Sequence, residues 1–251
     1  MNHSISKFIR HRVFYKLWSN LHSLSMYGMN YGVSSGYADY SGELYIIKKI
    51  VENGVVFDIG ANVGDWSNFF IKEHGNFNLY MFEPSLCAFE ALKNNISATS
   101  KIHFYKIGFG ESIKKANIYY DYNTQGSASI LNSKASISEE IEIETIDSFC
   151  EKNNINEIDF IKMDVQGYEY NILLGALKMI EKESIKVIQF EIDEPSIDNR
   201  VFFKDFWALL SERYYIYRSL YNGLVKIDEY SPAIENYTCM NYLAVLKKEK
   251  F

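Results

Sequence analysis

The chain has 251 residues, of which 47% are apolar and 23% charged, a composition that buries one sizeable core. Its formal net charge of -6 argues against nucleic acid as a substrate, because binding a phosphate backbone needs a basic field. Three dispersed cysteines, Cys87, Cys150 and Cys239, form neither a disulfide framework nor a metal spacing. They fit a reducing, cytoplasmic setting, as does the lack of a signal-peptide pattern and of any run of about 18 apolar residues.

Residues 5–25 are predicted to be helical. Phe14, Leu17, Trp18 and Leu21 recur at helical spacing on one face, with Lys7, Arg10, Arg12 and Lys16 elsewhere. Such a helix suits packing over the domain or its site, a homodimer contact, or a peripheral membrane contact. It opens an N-terminal helical extension over residues 1–50, ahead of a main domain at 51–251. Residues 26–41, rich in Tyr, Gly and Ser, read as an ordered loop, and 43–51 as a short helix.

The run Val55-Val56-Phe57-Asp58-Ile59-Gly60-Ala61-Asn62-Val63-Gly64 then reads as a buried strand, a glycine turn and a helix start. That arrangement makes a nucleotide-type cofactor site. Its spacing is G-x-x-x-G, and the dinucleotide fingerprint G-x-G-x-x-G is absent. A carboxylate at the turn would face like charge from a pyrophosphate but suits a ligand bearing an ammonium or sulfonium. Asp58 therefore favours S-adenosylmethionine (SAM) over NAD. Glu83 closes the next strand, 79–82, where it can accept hydrogen bonds from ribose hydroxyls. Asn62 suits either an Asx turn or the methionine end of the ligand.

Helix 85–94 and strand 102–107 follow, then a strand at 116–121 with a candidate hairpin partner at 128–131 and a polar loop at 123–129 between them. From Glu139 to Asp159 there are eight acidic residues and one lysine, Lys152. A strand at 158–163 ends in Asp164, followed by Gly167 and a helix from Glu169 to residue 180. Asp164 could accept a proton from a hydroxyl, orient it, or bind a divalent cation. Strand 186–192 carries Glu191. Asp164 and Glu191 on neighbouring strands are compatible with Mg²⁺, although no spacing here is a metal signature. A helix at 202–211 and strands at 214–217 and 240–246 complete the chain, with 221–237 read as a long loop. Strands alternating with helices imply a mostly parallel, doubly wound α/β sheet with helices on both faces. The five histidines sit in no motif, which leaves no histidine base and no zinc site in view.

Taken in order, these pieces resemble the FkbM family of SAM-dependent methyltransferases. They are 56–64, Phe82-Glu83-Pro84, Lys93-Asn94-Asn95, Ser127-Ala128-Ser129-Ile130, Glu144-Thr145-Ile146-Asp147, and 158–169 continuing to Leu174-Gly175-Ala176. The resemblance runs from about Gly42 to about Glu191. It implies a class I, Rossmann-like, seven-stranded sheet, SAM as cofactor, and transfer to a hydroxyl oxygen of a sugar in a glycan or lipid-linked oligosaccharide. A polyketide or other hydroxylated small molecule is the alternative acceptor, and a non-catalytic Rossmann-like binding protein the alternative class. Asp58, Gly60, Asn62, Gly64 and Glu83 are then the expected cofactor residues, and Asp164, Glu169 and Tyr168 the expected catalytic group. Relatives usually carry glutamate and histidine where this chain has Gln166 and Tyr168. The tyrosine, with an ordinary pKa near 10, replaces a group that titrates near neutrality. The expectation is that Asp164 receives the proton with Glu169 orienting it, while Tyr168 and loop 123–129 contact the acceptor.

Overall fold

The computed structural model describes residues 3–32, 41–50, 54–120, 130 and 137–249. Helices α1 (His3–Ile9) and α2 (Tyr15–Gly28) are separated by a tight turn at Arg12–Phe14, so the single helix expected over 5–25 is broken in two. A short helix α3 (Glu43–Ile47) precedes β1 (Val55–Ile59). There follow α4 (Asp65–Glu73), β2 (Asn78–Phe82), α5 (Leu86–Asn95) and β3 (Ile102–Tyr105).

Three strands then leave the main sheet: β4 (Gly108–Phe109), β5 (Lys114–Tyr120) and β6 (Ile137–Glu144) form their own sheet in the order β4-β6-β5. Strand β5 pairs with 137–144, while the expected partner at 128–131 lies outside the described residues except for Ile130, a bend. The acids of β6 had hidden a strand period of two. Ile141 and Ile143 point inward, while Glu140 and Glu142 point out, with Lys115 bridging Glu140 at 2.7 Å.

The chain returns through α6 (Ile146–Lys152), β7 (Ile158–Met163), α7 (Glu169–Leu174), α8 (Leu177–Glu181) and β8 (Ile185–Ile192). The helix expected from 169 to 180 is interrupted at Gly175-Ala176. An added Cβ on Gly175 would lie 2.1 Å from the Gly110 carbonyl oxygen. The last elements are α9 (Pro195–Asp198), α10 (Phe203–Leu210), β9 (Tyr214–Leu220), β10 (Gly223–Ile227) and β11 (Met240–Leu246).

The main sheet has the order β10-β9-β11-β8-β7-β1-β2-β3. It therefore has eight strands among the described residues, one more than expected. The extra strand is β10, which the predicted loop 221–237 had concealed and which pairs with β9 as an edge hairpin. Strands β3, β2, β1, β7 and β8 run parallel, and β11 is antiparallel to both β8 and β9.

Side-chain alternation splits the core into two layers. Phe57, Phe82, Ile161 and Phe190 pack with residues of α6, α7, α8 and α10 on one face. Val56, Leu79, Met81 and Phe160 pack with α3, α4 and α5 on the other. Central parallel strands covered on both faces explain the near-continuous apolar runs of β1, β7 and β8.

Candidate active site

The carboxyl ends of β1, β2 and β7 open into one crevice, where open sheets of this topology bind ligands. Gly60 and Asn62 from the first turn, Glu83 from the second, and Asp164, Gln166 and Tyr168 from the third all line it, around about 680 Å³ of open space. Its apolar wall comes from Phe82, Pro84, Ile107 and Phe109, and the small sheet adds Ile118, Ile141 and Ile143. A second, more polar chamber of about 660 Å³ shares Gly60, Asn62 and Asp164 and adds Glu43, Trp66, Phe69 and Lys162.

The first turn is shaped by close approach. Gly60 has φ +78°, and a Cβ there would lie 2.0 Å from the Asp164 carbonyl oxygen. That glycine lets the β1 and β7 turns touch. Glu83 is buried and spans the turn: its Oε2 accepts from Asn62 N at 3.0 Å and its Oε1 from Ser85 N at 2.9 Å. Burial pushes its pKa up to about 7, against the lowering effect of those two amides. Asn95 at the end of α5 donates to Val63 O at 2.9 Å, which ties the helix to the turn.

Two expected cofactor residues do not line the crevice. Gly64 begins α4 with φ +93° and packs against Leu92 and Ile96. Asp58 is wholly buried beneath the turn, accepting from Ser67 Oγ at 2.6 Å, with its Oδ1 3.5 Å from Lys162 Nζ and, among the described residues, no hydrogen bond to that oxygen. Its influence on a cation in the crevice is through charge, not direct lining.

Lys162 ties the two turns together. Its Nζ is 3.5 Å from Asp164 Oδ2 as well as from Asp58 Oδ1, and it lies over the Trp66 ring at 6.0 Å. Burial disfavours its charge, but Asp58, Asp164, Glu43 and Glu191 outweigh that and raise its pKa. Glu43, also buried, accepts from Gln189 Nε2 at 3.3 Å and from Ser41 Oγ at 3.2 Å, and burial pushes its pKa up to about 7. Neither Glu43 nor Lys162 stands out in the sequence as a site residue. The alternation of β1 and β7 held the signal, since Asp58 and Lys162 share the face of Val56 and Phe160.

Asp164 keeps part of its side chain exposed, and Gln166 Nε2 donates to its Oδ1 at 3.3 Å. Glu169 does not meet that carboxylate in the expected way. It is buried, and its Oε1 accepts from Val165 N at 2.8 Å, bracing the backbone just after Asp164. Burial, with Asp193 nearby, raises its pKa well above the usual carboxylate range. Tyr168 is buried along the crevice wall beside Gly110. Glu191 sits behind the crevice and accepts from Cys239 Sγ at 2.6 Å; burial and the charge of Asp164 push its pKa to about 8. No group of three or more His, Cys, Asp or Glu side chains able to hold a metal is present among the described residues. The expected acceptor loop 123–129 lies outside them.

The donor set fits SAM. Glu83 offers acceptors to ribose hydroxyls beside an apolar wall suited to an adenine ring. Two carboxylates, Asp58 and Asp164, stand against the single cation of Lys162 and leave the region negative, as a sulfonium and ammonium require. Residues 58–217 match the methyltransferase FkbM domain. The chain belongs to the FkbM methyltransferase family. The open sheet is thus the Rossmann-like sheet of a SAM-dependent methyltransferase domain. Among curated proteins, this FkbM-family chain is 24% identical over 145 residues to the 2-O-methyltransferase NoeI of Sinorhizobium fredii. The match takes in 51% of this chain and 59% of that relative's length. Among solved structures, an rRNA methylase from Streptococcus thermophilus aligns with TM-score 0.46 and 10% identity, over 81% of this chain and 93% of that one. TrmK of M. capricolum, solved with S-adenosyl-homocysteine, aligns with TM-score 0.45 and 14% identity, over 86% and 70% of the two chains.

Proposed function

We infer that this FkbM-family protein transfers a methyl group from SAM to a hydroxyl oxygen of a sugar, in a glycan or a lipid-linked oligosaccharide. The observation that carries the reading is the shared crevice, in which Glu83 and Gly60 on one side face Asp164 on the other. The family supports methyl transfer, and the name of the relative, a 2-O-methyltransferase, supports oxygen as the acceptor atom.

Glu83, Gly60 and Asn62 would hold SAM, with the acids around Lys162 favouring its cationic end. Bound there, SAM supplies an electrophilic methyl group. A sugar hydroxyl is a weak nucleophile, so its proton must leave as the oxygen attacks. Asp164 takes that proton at a carboxylate oxygen, directly or through one water. Gln166 orients the carboxylate, and Lys162 balances its charge against Asp58. Holding the two reactants in line contributes up to about 7–11 kcal/mol in well-oriented systems. Tyr168 shapes the wall on which the acceptor rests. Among the described residues Asp164 and Glu191 are not part of any group of three or more metal-ligating side chains, and Glu191 already accepts from Cys239, so EDTA is expected to leave turnover unchanged.

Incubation with methyl-labelled SAM and a panel of glycans, lipid-linked oligosaccharides and hydroxylated polyketides tests the reading. Label recovered as a sugar methyl ether is the expected product. Label in the polyketides alone would replace the sugar assignment, and tight SAM binding without transfer to any of them would point to a binding protein.

A further inference from the structure

All 32 acidic residues of the chain lie from Asp39 onward, whereas Lys7, Arg10, Arg12 and Lys16 stand before it. The first 38 residues are therefore a purely basic segment on an otherwise acidic protein. The described part of this segment is a folded arm. Phe8 and Phe14 pack edge to face at 5.0 Å, and Trp18 Nε1 donates to Ile9 O at 2.8 Å, locking α1 onto α2.

Helix α2 contains no buried residue. Leu17, Leu21 and Leu24 recur at i, i+4 and i+7 and remain 50%, 44% and 67% exposed, with Trp18 beside them at 43%. Among the described residues the arm engages the body at the far end of α2 and just beyond it, where Met26 packs on the core and accepts from Asn236 Nδ2, and Gly32 N donates to Cys239 O at 3.1 Å. An apolar row with a Trp, flanked by exposed Lys and Arg and free of acids, matches helices that lie in the headgroup region of a bilayer.

We propose that the α1–α2 arm docks this protein onto an anionic lipid surface, with Leu17, Trp18, Leu21 and Leu24 inserted and the four basic residues on the headgroups. Charge selects this occupant over a second copy of the chain. Arm against arm would set basic segments together. Among the described residues the acidic body offers no matching apolar row, since its exposed large side chains, such as Phe69, Leu86, Ile113 and Tyr215, sit on separate elements. The inference stands on the arm alone and does not depend on the identity of the acceptor.

The full chain is mixed with vesicles of phosphatidylcholine, with and without about a third phosphatidylglycerol, and sedimented. Anionic vesicles are expected to bind it at least about tenfold more tightly, with binding weakened by salt. Trp fluorescence should shift to the blue on binding, and Trp18→Phe should remove the shift. Replacing Lys7, Arg10, Arg12 and Lys16 together by Glu should abolish the preference, with SAM binding by calorimetry unchanged as the sign of an intact body. Equal binding to both vesicles, or to neither, overturns the proposal. So does a solution dimer that Trp18→Ser with Leu21→Ser dissociates, which would assign the face to a second copy.

Discussion

Asp58 of β1 and Lys162 of β7 stand directly opposite one another in the strand register, with 3.5 Å between Oδ1 and Nζ. Gln189 of β8 is the next partner of Lys162 in the same row, and it passes the line on to Glu43 and Asn241. A polar row thus crosses one face of a sheet that is otherwise apolar there, directly below the crevice. Its ions are buried, so removing one partner leaves an uncompensated charge. Lys162→Met is therefore expected to lower unfolding stability by about 3–5 kcal/mol, measured by urea denaturation. Adding Asp58→Asn should recover part of the loss, because the double variant no longer buries that unpaired carboxylate. A cost of Lys162→Met below about 1 kcal/mol would mean that the row is not energetically coupled.

Asp164 is the carboxylate that both chambers share and that stays partly open to them. Asp164→Asn keeps the shape and removes the proton acceptor. SAM affinity by calorimetry should change little, while single-turnover methyl transfer falls by about 10²–10⁴-fold. Gln166→Ala, which removes the hydrogen bond at 3.3 Å and a small part of the crevice lining, should produce a smaller loss. Full transfer by the Asp164→Asn protein would move the proton to another group.

Much of this was legible from the chain because alternation and glycine turns are local signals. The strands β1, β2, β7, β8 and β11 and the crevice residues Gly60, Asn62, Glu83 and Asp164 were all readable that way. Motif position, however, does not say which way a side chain faces. Asp58 lies within the cofactor motif but points under the turn, and Glu169 braces a backbone amide. Other family pieces are structural. Thr145 caps α6 through Ser148 N at 3.1 Å, and Asp147 accepts from Lys178 N at 2.9 Å and Met179 N at 3.0 Å. Glu43 was invisible in the chain because its role exists only once α3 folds over Gln189, far away in sequence. Strand β6 was obscured because its outward face is glutamate, which composition alone reads as a charge run.

The crowding of buried acids has a consequence for pH. Burial raises the folded pKa of Asp193 to about 6, of Glu43 and Glu83 to about 7, and of Glu191 to about 8. Each binds its proton more tightly folded than unfolded, so its contribution is full below the unfolded carboxylate range and is lost as pH rises through the folded value. The ligand-free protein should lose stability between about pH 5 and pH 8, by on the order of 1 kcal/mol per group per pH unit where the group titrates. Scanning calorimetry across that range should show a falling midpoint, and Glu43→Gln should flatten the fall. A midpoint that rises over the same range would show that these groups are ionised at little cost.

Tyr168, where the family resemblance leads one to expect a histidine, forms a wall of the crevice. Its ring is buried against the small sheet, near enough to Gly110 that a Cβ there would lie 3.1 Å from Tyr168 Cε1. If the ring's role is packing, removing only the hydroxyl should matter little. Tyr168→Phe is then expected to keep methyl transfer within about tenfold of the parent and to change stability by less than about 1 kcal/mol. Tyr168→Ala should cost about 3 kcal/mol or more by opening a cavity, and should raise the acceptor KM as the wall collapses. Tyr168→His separates shape from proton transfer. A rate that climbs through the histidine pKa would show that an imidazole at this position can serve as base. A flat profile there, with Asp164→Asn still inactive, would keep the proton on Asp164 and leave residue 168 to shape the acceptor wall.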